Sequence, residues 1–321
     1  MAERPVSAYL IRRAATSVVV IFGVALVTFI MLHAVAPSPG RALLGDRATP
    51  AAVNAFNRLH GYDRSVIAQF ISYLGQLIHG NLGYSYKLNQ TVNSLLTENM
   101  ARSAWLSGSS LVLSILIAIP LGIYQAVKRN SVADYTLSAL NLTLYSMPSF
   151  FLGIILIQFF ALDWHIFPPG VSSSITTAWG AITHPAQLAL PILTLTFITV
   201  ASFSRYMRSS ALDNLGQDYI RLARAKGLSE RAVLTRHLLR NACLPMITLT
   251  GLSIPALLAG NLLIEVLFNY PGLGLLFYDA LGNSDYNILL AYTILGGILT
   301  VVGNLIADIA ITAADPRIRL N

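Results

Sequence analysis

Six apolar segments, each long enough to cross a lipid bilayer as a helix, alternate with polar stretches along this chain. They run approximately Thr16–Leu32, Ser103–Val127, Tyr135–Leu162, Gln187–Ser204, Leu244–Phe268 and Tyr286–Ala314. Hydrocarbon offers no partner to backbone N–H and C=O groups, so a spanning segment must satisfy them within itself, as a helix. Charged residues make up only 11% of the chain, against about 25% in soluble domains. The fold class is therefore an all-α polytopic membrane protein with six transmembrane helices. Ala34-Val35-Ala36 resembles a signal-peptidase site, but the apolar run before it is long for a secretion signal. The first helix is expected to be retained.

Basic residues orient such a bundle, because cytoplasmic loops carry an excess of Lys and Arg. Eight of the 21 Lys and Arg lie between Arg205 and Arg240, with apolar segments on both sides. Arg41, Arg47, Arg58, Arg64, Lys87 and Arg102 fall on the opposite side. This distribution puts both termini and the 205–241 loop in the cytoplasm and residues 36–101 outside. The net charge of +7 is thus a topological signal, and its position between spans excludes nucleic-acid binding.

The basic loop has internal order. Asp218 suits the start of a short helix, as cap or in the first turn, with Tyr219, Leu222 and Ala223 as its apolar stripe. Gly227 can end that helix in the left-handed conformation, and Ser229 with Glu230 can open the next. Leu234, Leu238 and Leu239 would face the membrane or core. Most basic loops only set topology; the pattern around Gly227 argues for more.

The stretch DYIRLARAKGLSERAVLTRHLLRNACLP resembles the cytoplasmic coupling loop of ABC importer permeases, and most closely their dipeptide, oligopeptide and nickel branch. Arg221-Leu222-Ala223 stand where the general motif has Glu-Ala-Ala, and Leu244-Pro245 follows Gly227 at longer spacing than in many sugar permeases. Both departures are typical of the peptide branch. The resemblance extends to EVLFNYPGLG (from Glu265), FPPG (from Phe167), YSMPSFF (from Tyr145), the turn Gly80-Asn81-Leu82-Gly83 and the tail from Asp315 to Arg319. It implies a type I importer fold: a 1–35 transmembrane helix, a 36–101 external segment and a 102–321 core. It further implies that Asp218, Tyr219, Arg221, Leu222, Ala223, Arg224, Ala225, Lys226 and Gly227 couple to an ATPase. The partners implied are two ATP-binding subunits (or one fused ATPase), a paralogous second permease and an extracytoplasmic solute-binding protein. ATP and Mg would bind those partners, and this chain would carry no cofactor and do no catalysis.

The residues themselves agree on that last point. There is no P-loop, GxGxxG or HExxH motif, and no assembled catalytic constellation. His60 and His79 lack partners at metal-ligand spacing, and the single Cys243 suits packing. Asn141, Gln158, Ser202, Asn261, Asn304 and Asp308 could line a pathway or bond helices together; either role fits polar groups within spans. The resulting expectation is a permease subunit importing di- or oligopeptides. The alternatives are a nickel or metal-chelate importer and, from another class, an ion-driven secondary transporter. A third short external helix, Val92–Met100, is also expected.

Overall fold

Two helices form the centre of the molecule, running side by side in the same direction. In this computed structural model, which describes residues 6–35, 39–45, 47–172 and 178–314, they are α5 (Val92–Val127) and α9 (Pro185–Leu215). Ser103, Ser107, Ser110, Ser114, Ala118, Gly122 and Ala126 recur every three or four residues on α5 and are all buried. Small side chains at that spacing let helix backbones approach closely. A Cβ at Gly122 would lie 2.8 Å from the Ser204 carbonyl and 2.6 Å from the Met207 Cβ. Higher along the seam, Ser114 Oγ donates to the Ser110 carbonyl at 2.6 Å and to the Thr196 carbonyl at 3.3 Å.

The first helix, α1 (Val6–Val35), stays at the periphery. Its Ala25 and Phe29 are buried against Leu290 and Ile294 of α16 (Tyr286–Ala314), while Val18, Val19, Val27, Ile30 and Met31 remain exposed. After α1 come α2 (Pro39–Leu44), α3 (Pro50–His60) and α4 (Val66–Ile78). Thr49 and Ser65 cap α3 and α4 with their hydroxyls. A small hairpin, β1 (Tyr84–Ser85) with β2 (Gln90–Thr91), follows. Gly80 and Gly83 shape its approach with φ of 71° and 95°. No separate helix covers Val92–Met100: α5 begins at Val92, capped by Thr91, and continues for 36 residues into the membrane segment. The expected break is missing because the polar turn of this stretch is also buried, with Val92, Leu95, Leu96 and Asn99 packed inward.

Two expected spans are interrupted. The third is α6 (Val132–Ser146) and α7 (Ser149–Leu156), the latter continuing as π-helix to Asp163, with a bend of 109° between the pair. Pro148 has no N–H to extend α6 and biases Met147 to extended geometry, where it sits at φ −77°, ψ 136°. The fifth is α13 (Leu244–Ala259), which stops at Gly260 with φ 84°, followed by α14 (Leu262–Leu267). Among the described residues, four helices are long and apolar enough to cross a membrane, and a fifth if α6 and α7 count as one bent span. α8 (Ala178–Thr183) lies before α9, and α15 (Leu273–Gly282) before α16. The tail from Asp315 to Arg319 lies outside the described residues.

Candidate functional site

Beyond α9 the chain turns at Gly216 into α10 (Asp218–Ala225), then α11 (Glu230–Ala232), a π-helical stretch Val233–Leu238 and α12 (Leu239–Ala242). Gly227 ends α10 with φ 78°. Its N–H donates to the Arg224 carbonyl at 2.9 Å and that of Leu228 to the Ala223 carbonyl at 3.3 Å, the two bonds of a Schellman cap. Ser229 Oγ accepts from the Ala232 N–H and opens α11. Both sequence-based boundaries of this turn are therefore present. Asp218 occupies the first turn of α10, and the capping position belongs to Gln217.

The apolar stripe is rotated from the expected one. Ile220 and Ala223 are the buried pair, fitted among Phe203, Met207, Ala211, Val233 and Leu238. Tyr219 is half-buried and its hydroxyl donates to Asn214 Oδ1 at 2.7 Å, while Leu222 stands 56% exposed. The reason is that α10 packs on the π-helical stretch Val233–Leu238, and residues 220 and 223 are the ones that join its buried cluster. The outer face then consists of Asp218, Arg221, Leu222, Arg224, Ala225, Lys226 and Leu228. Leu234 and Leu239 pack at the edge of the same cluster, beside buried Leu238, and so does Cys243.

Arg224 is partly engaged within the loop. Its Nη2 donates to Glu230 Oε1 at 2.7 Å and its Nε to Oε2 at 3.2 Å, bridging the turn. This bidentate pair holds the Glu230 carboxyl below its usual pKa. The six-residue separation across a glycine was the only signal of it in the sequence.

The loop is continuous with a braced part of α9. Asp134, at the start of α6, is buried and accepts two bonds from Arg208, Nε and Nη2, both at 2.7 Å. Asn141 Nδ2 donates to Ser204 Oγ at 2.9 Å and, more weakly, to Gln125 Oε1 at 3.4 Å. Asn141 is thus a bond between α5, α6 and α9, within one turn of the Gly122 contact. Among the described residues it is the pathway candidate whose side chain bonds other helices. Gln158 is exposed and donates to Asp163 Oδ1 at 2.8 Å. Ser202 and Asn304 are half-buried on their helices. The side chain of Asp308 falls outside the described residues. His60 and His79 each bond a carbonyl one turn back on their own helix, Phe56 and Gly75.

At the other end of the bundle the segment from Glu265 to Gly274 wraps around one carboxylate. Glu265 is fully buried; Oε1 accepts from Ser103 Oγ at 2.7 Å and from the Asn261 N–H at 3.1 Å. Oε2 accepts from the Gly274 N–H at 2.6 Å and the Leu275 N–H at 3.3 Å, at the first turn of α15. A Cβ on Gly272 would collide with both Glu265 and Ser103. The FPPG segment closes this end, since Val171 N–H donates to the Phe268 carbonyl at 2.8 Å. Asn261 is therefore a backbone ligand of Glu265. Sequence reading could not pair Glu265 with Ser103, which lies 162 positions away.

Among the described residues, then, apolar helices long enough to cross a membrane carry a short helix pair between two of them. Residues 118–320 match the family described as binding-protein-dependent transport system inner membrane component, and residues 6–107 match its N-terminal counterpart. The chain belongs to this family of multi-pass, non-catalytic permease subunits of ABC transporters. It is 35% identical to the oligopeptide transport system permease protein AppB of Bacillus subtilis, over 97% of this chain and 99% of that protein. To the dipeptide transport system permease protein DppB of Escherichia coli K12 it is 33% identical, over 97% and 98%. The inward-facing MetNI methionine ABC transporter aligns with TM-score 0.49 and 19% identity, over 68% of this chain and 96% of that one. Family membership displaces the ion-gradient alternative.

Proposed function

We propose that this chain forms half of the translocation pathway of an ATP-driven importer of di- or oligopeptides. The relatives named for peptide transport, matched end to end, support the substrate class. The observation that carries the mechanism is α10: plugged into the bundle by Ile220 and Ala223, it presents Leu222, Leu228, Arg221 and Lys226 outward. An apolar pair ringed by cations fits a groove on a partner ATPase, where the leucines bury and the cations orient.

Movement of α10 reaches the core through α9. Arg208 on Asp134 and Ser204 on Asn141 tie that helix to α6, and Gly122 lets α5 lie against it. A pull on α10 therefore shifts α5, α6 and α9 together rather than bending one helix. In this reading ATP and Mg bind two ATPase subunits or a fused one. A paralogous permease supplies the other half of the pore, and a solute-binding protein delivers peptide. The 205–241 loop and both termini lie in the cytoplasm, with 36–101 outside.

Co-purification from native membranes tests the reading, followed by cysteine cross-linking from Leu222→Cys. Recovery of an ATPase, a second permease and a peptide-binding protein, with the cross-link formed to the ATPase, is the expected result. Recovery of the chain alone, or a cross-link only to the second permease, overturns it.

A further inference from the structure

A second recessed site lies far from α10, where α4 and the hairpin meet the ends of α1 and α16. It is a cavity of about 630 Å³. Arg58 and Arg64 line it and no Asp or Glu does. Neither arginine belongs to an ion pair among the described residues. Tyr73 also lines it; the residue is only 9% exposed, and its hydroxyl is buried without a hydrogen-bond partner. A buried hydroxyl without an acceptor is unfavourable, so it marks a place where an acceptor belongs.

The cavity is built rather than incidental. Gln69 Nε2 donates to the carbonyls of Tyr62 at 3.1 Å and Arg64 at 2.8 Å, and Gln69 Oε1 lies 3.1 Å from His33 Nε2. These bonds hold the Arg64 turn against α4 and α1. On the far wall Asn287 Nδ2 donates to the Tyr84 carbonyl at 2.8 Å, joining α16 to the hairpin.

What surrounds the cavity is apolar and outward-facing. Phe70 of α4 packs on Phe29 and Phe22 of α1, with ring centroids 5.1 and 5.8 Å apart. Phe22 sits 11 residues before His33, about 16 Å along the helix, so α4 lies beside the apolar stretch of α1. Opposite Phe70 and Tyr73, α4 exposes Ile67, Ile71 and Ile78 at 74%, 63% and 83%. They share one helix face, and α1 likewise exposes Val27, Ile30 and Met31.

We propose that this cavity binds the headgroup of an anionic phospholipid, whose acyl chains lie on the exposed faces of α1 and α4. The two guanidinium groups take the phosphate oxygens, and the Tyr73 hydroxyl donates to the ester. The site rests on the membrane-spanning assignment, not on the peptide reading. Its place on the peripheral α1, away from the α5 and α9 core, favours lipid over transported peptide.

The test is native mass spectrometry of the purified, assembled transporter with phosphatidylglycerol or phosphatidylcholine of identical acyl chains. Phosphatidylglycerol should be retained about tenfold more strongly. R58Q/R64Q should remove that preference and R58K/R64K keep most of it. Tyr73→Phe should weaken retention about threefold without lowering the melting temperature. Equal retention of the two lipids, an unchanged preference in R58Q/R64Q, or unchanged retention in Tyr73→Phe overturns the proposal. Displacement by glycerol 1-phosphate at the lipid's own concentration would make it a free phosphate-ester site, and displacement by a short peptide a peptide subsite; both overturn it. Should R58Q/R64Q fail to assemble, R58K/R64K and Tyr73→Phe decide between the outcomes.

Discussion

The two ends of the bundle handle charge in opposite ways. Around Glu265 a carboxylate is turned fully inward and satisfied by Ser103 and three backbone N–H groups. Around α10 the charges are turned outward, and only Ile220 and Ala223 are buried. A buried, bonded carboxylate specifies one backbone arrangement, because any other leaves it unsatisfied. An exposed basic helix specifies little about its own fold and is free to meet a partner. One end holds its shape; the other leaves its charged side chains exposed.

The largest effect expected from this contrast is on transport. Gly227→Pro removes the N–H bonded to Arg224 and cannot adopt φ 78°. ATP-driven uptake should fall by more than about tenfold while membrane insertion stays normal, since residues 226–229 are themselves exposed and lie outside the spans. Unchanged uptake in proteoliposomes would remove the coupling role from α10.

Next comes the layer beneath the exposed helix. Arg208→Ala leaves Asp134 buried with no cation, which should cost about 3–5 kcal/mol. Thermal unfolding of the assembled transporter measures this, and Asp134→Asn with Arg208→Ala together should recover part of the loss. A melting temperature unaltered in Arg208→Ala would mean that α9 is not braced here.

At the other end, Glu265→Gln sets an amide donor against the N–H groups of Gly274 and Leu275. About 1–3 kcal/mol of stability should be lost, with ATPase association intact. Loss of association before stability would erase the distinction between the ends.

The smallest effect is at Arg224 and Glu230, both about half exposed. Because Glu230 titrates below its free value, its pair contributes above the ordinary glutamate pKa and is lost as pH falls through the lowered one. Glu230→Gln should cost about 0.5 kcal/mol near neutral pH and nothing well below pH 4. Equal melting differences at both pH values would show that the ion pair is not formed.

Much of the architecture was legible because bilayers and helices impose strict local rules. The apolar runs at Thr16–Leu32, Ser103–Val127, Gln187–Ser204 and Tyr286–Ala314 are helices as expected, and Gly227 and Ser229 stop and start the loop helices where their chemistry requires. The bend at Pro148 was half legible: the residue predicts a lost bond, but the 109° angle depends on how α7 packs on α9 and α14. The loop stripe was misread because a periodic face does not say which neighbour lies beneath it.

By itself, then, the sequence determined the rough extent of four of the six expected spans, the turn chemistry at Gly227 and the family-like motifs. Those follow from interactions between residues close in the chain. Only the tertiary structure decided that Glu265 bonds Ser103, that Asp134 takes Arg208, that Asn141 joins Ser204 and that the FPPG segment closes over Phe268. Each of these pairs spans more than 60 positions, and no local propensity encodes which distant polar group will satisfy a buried one.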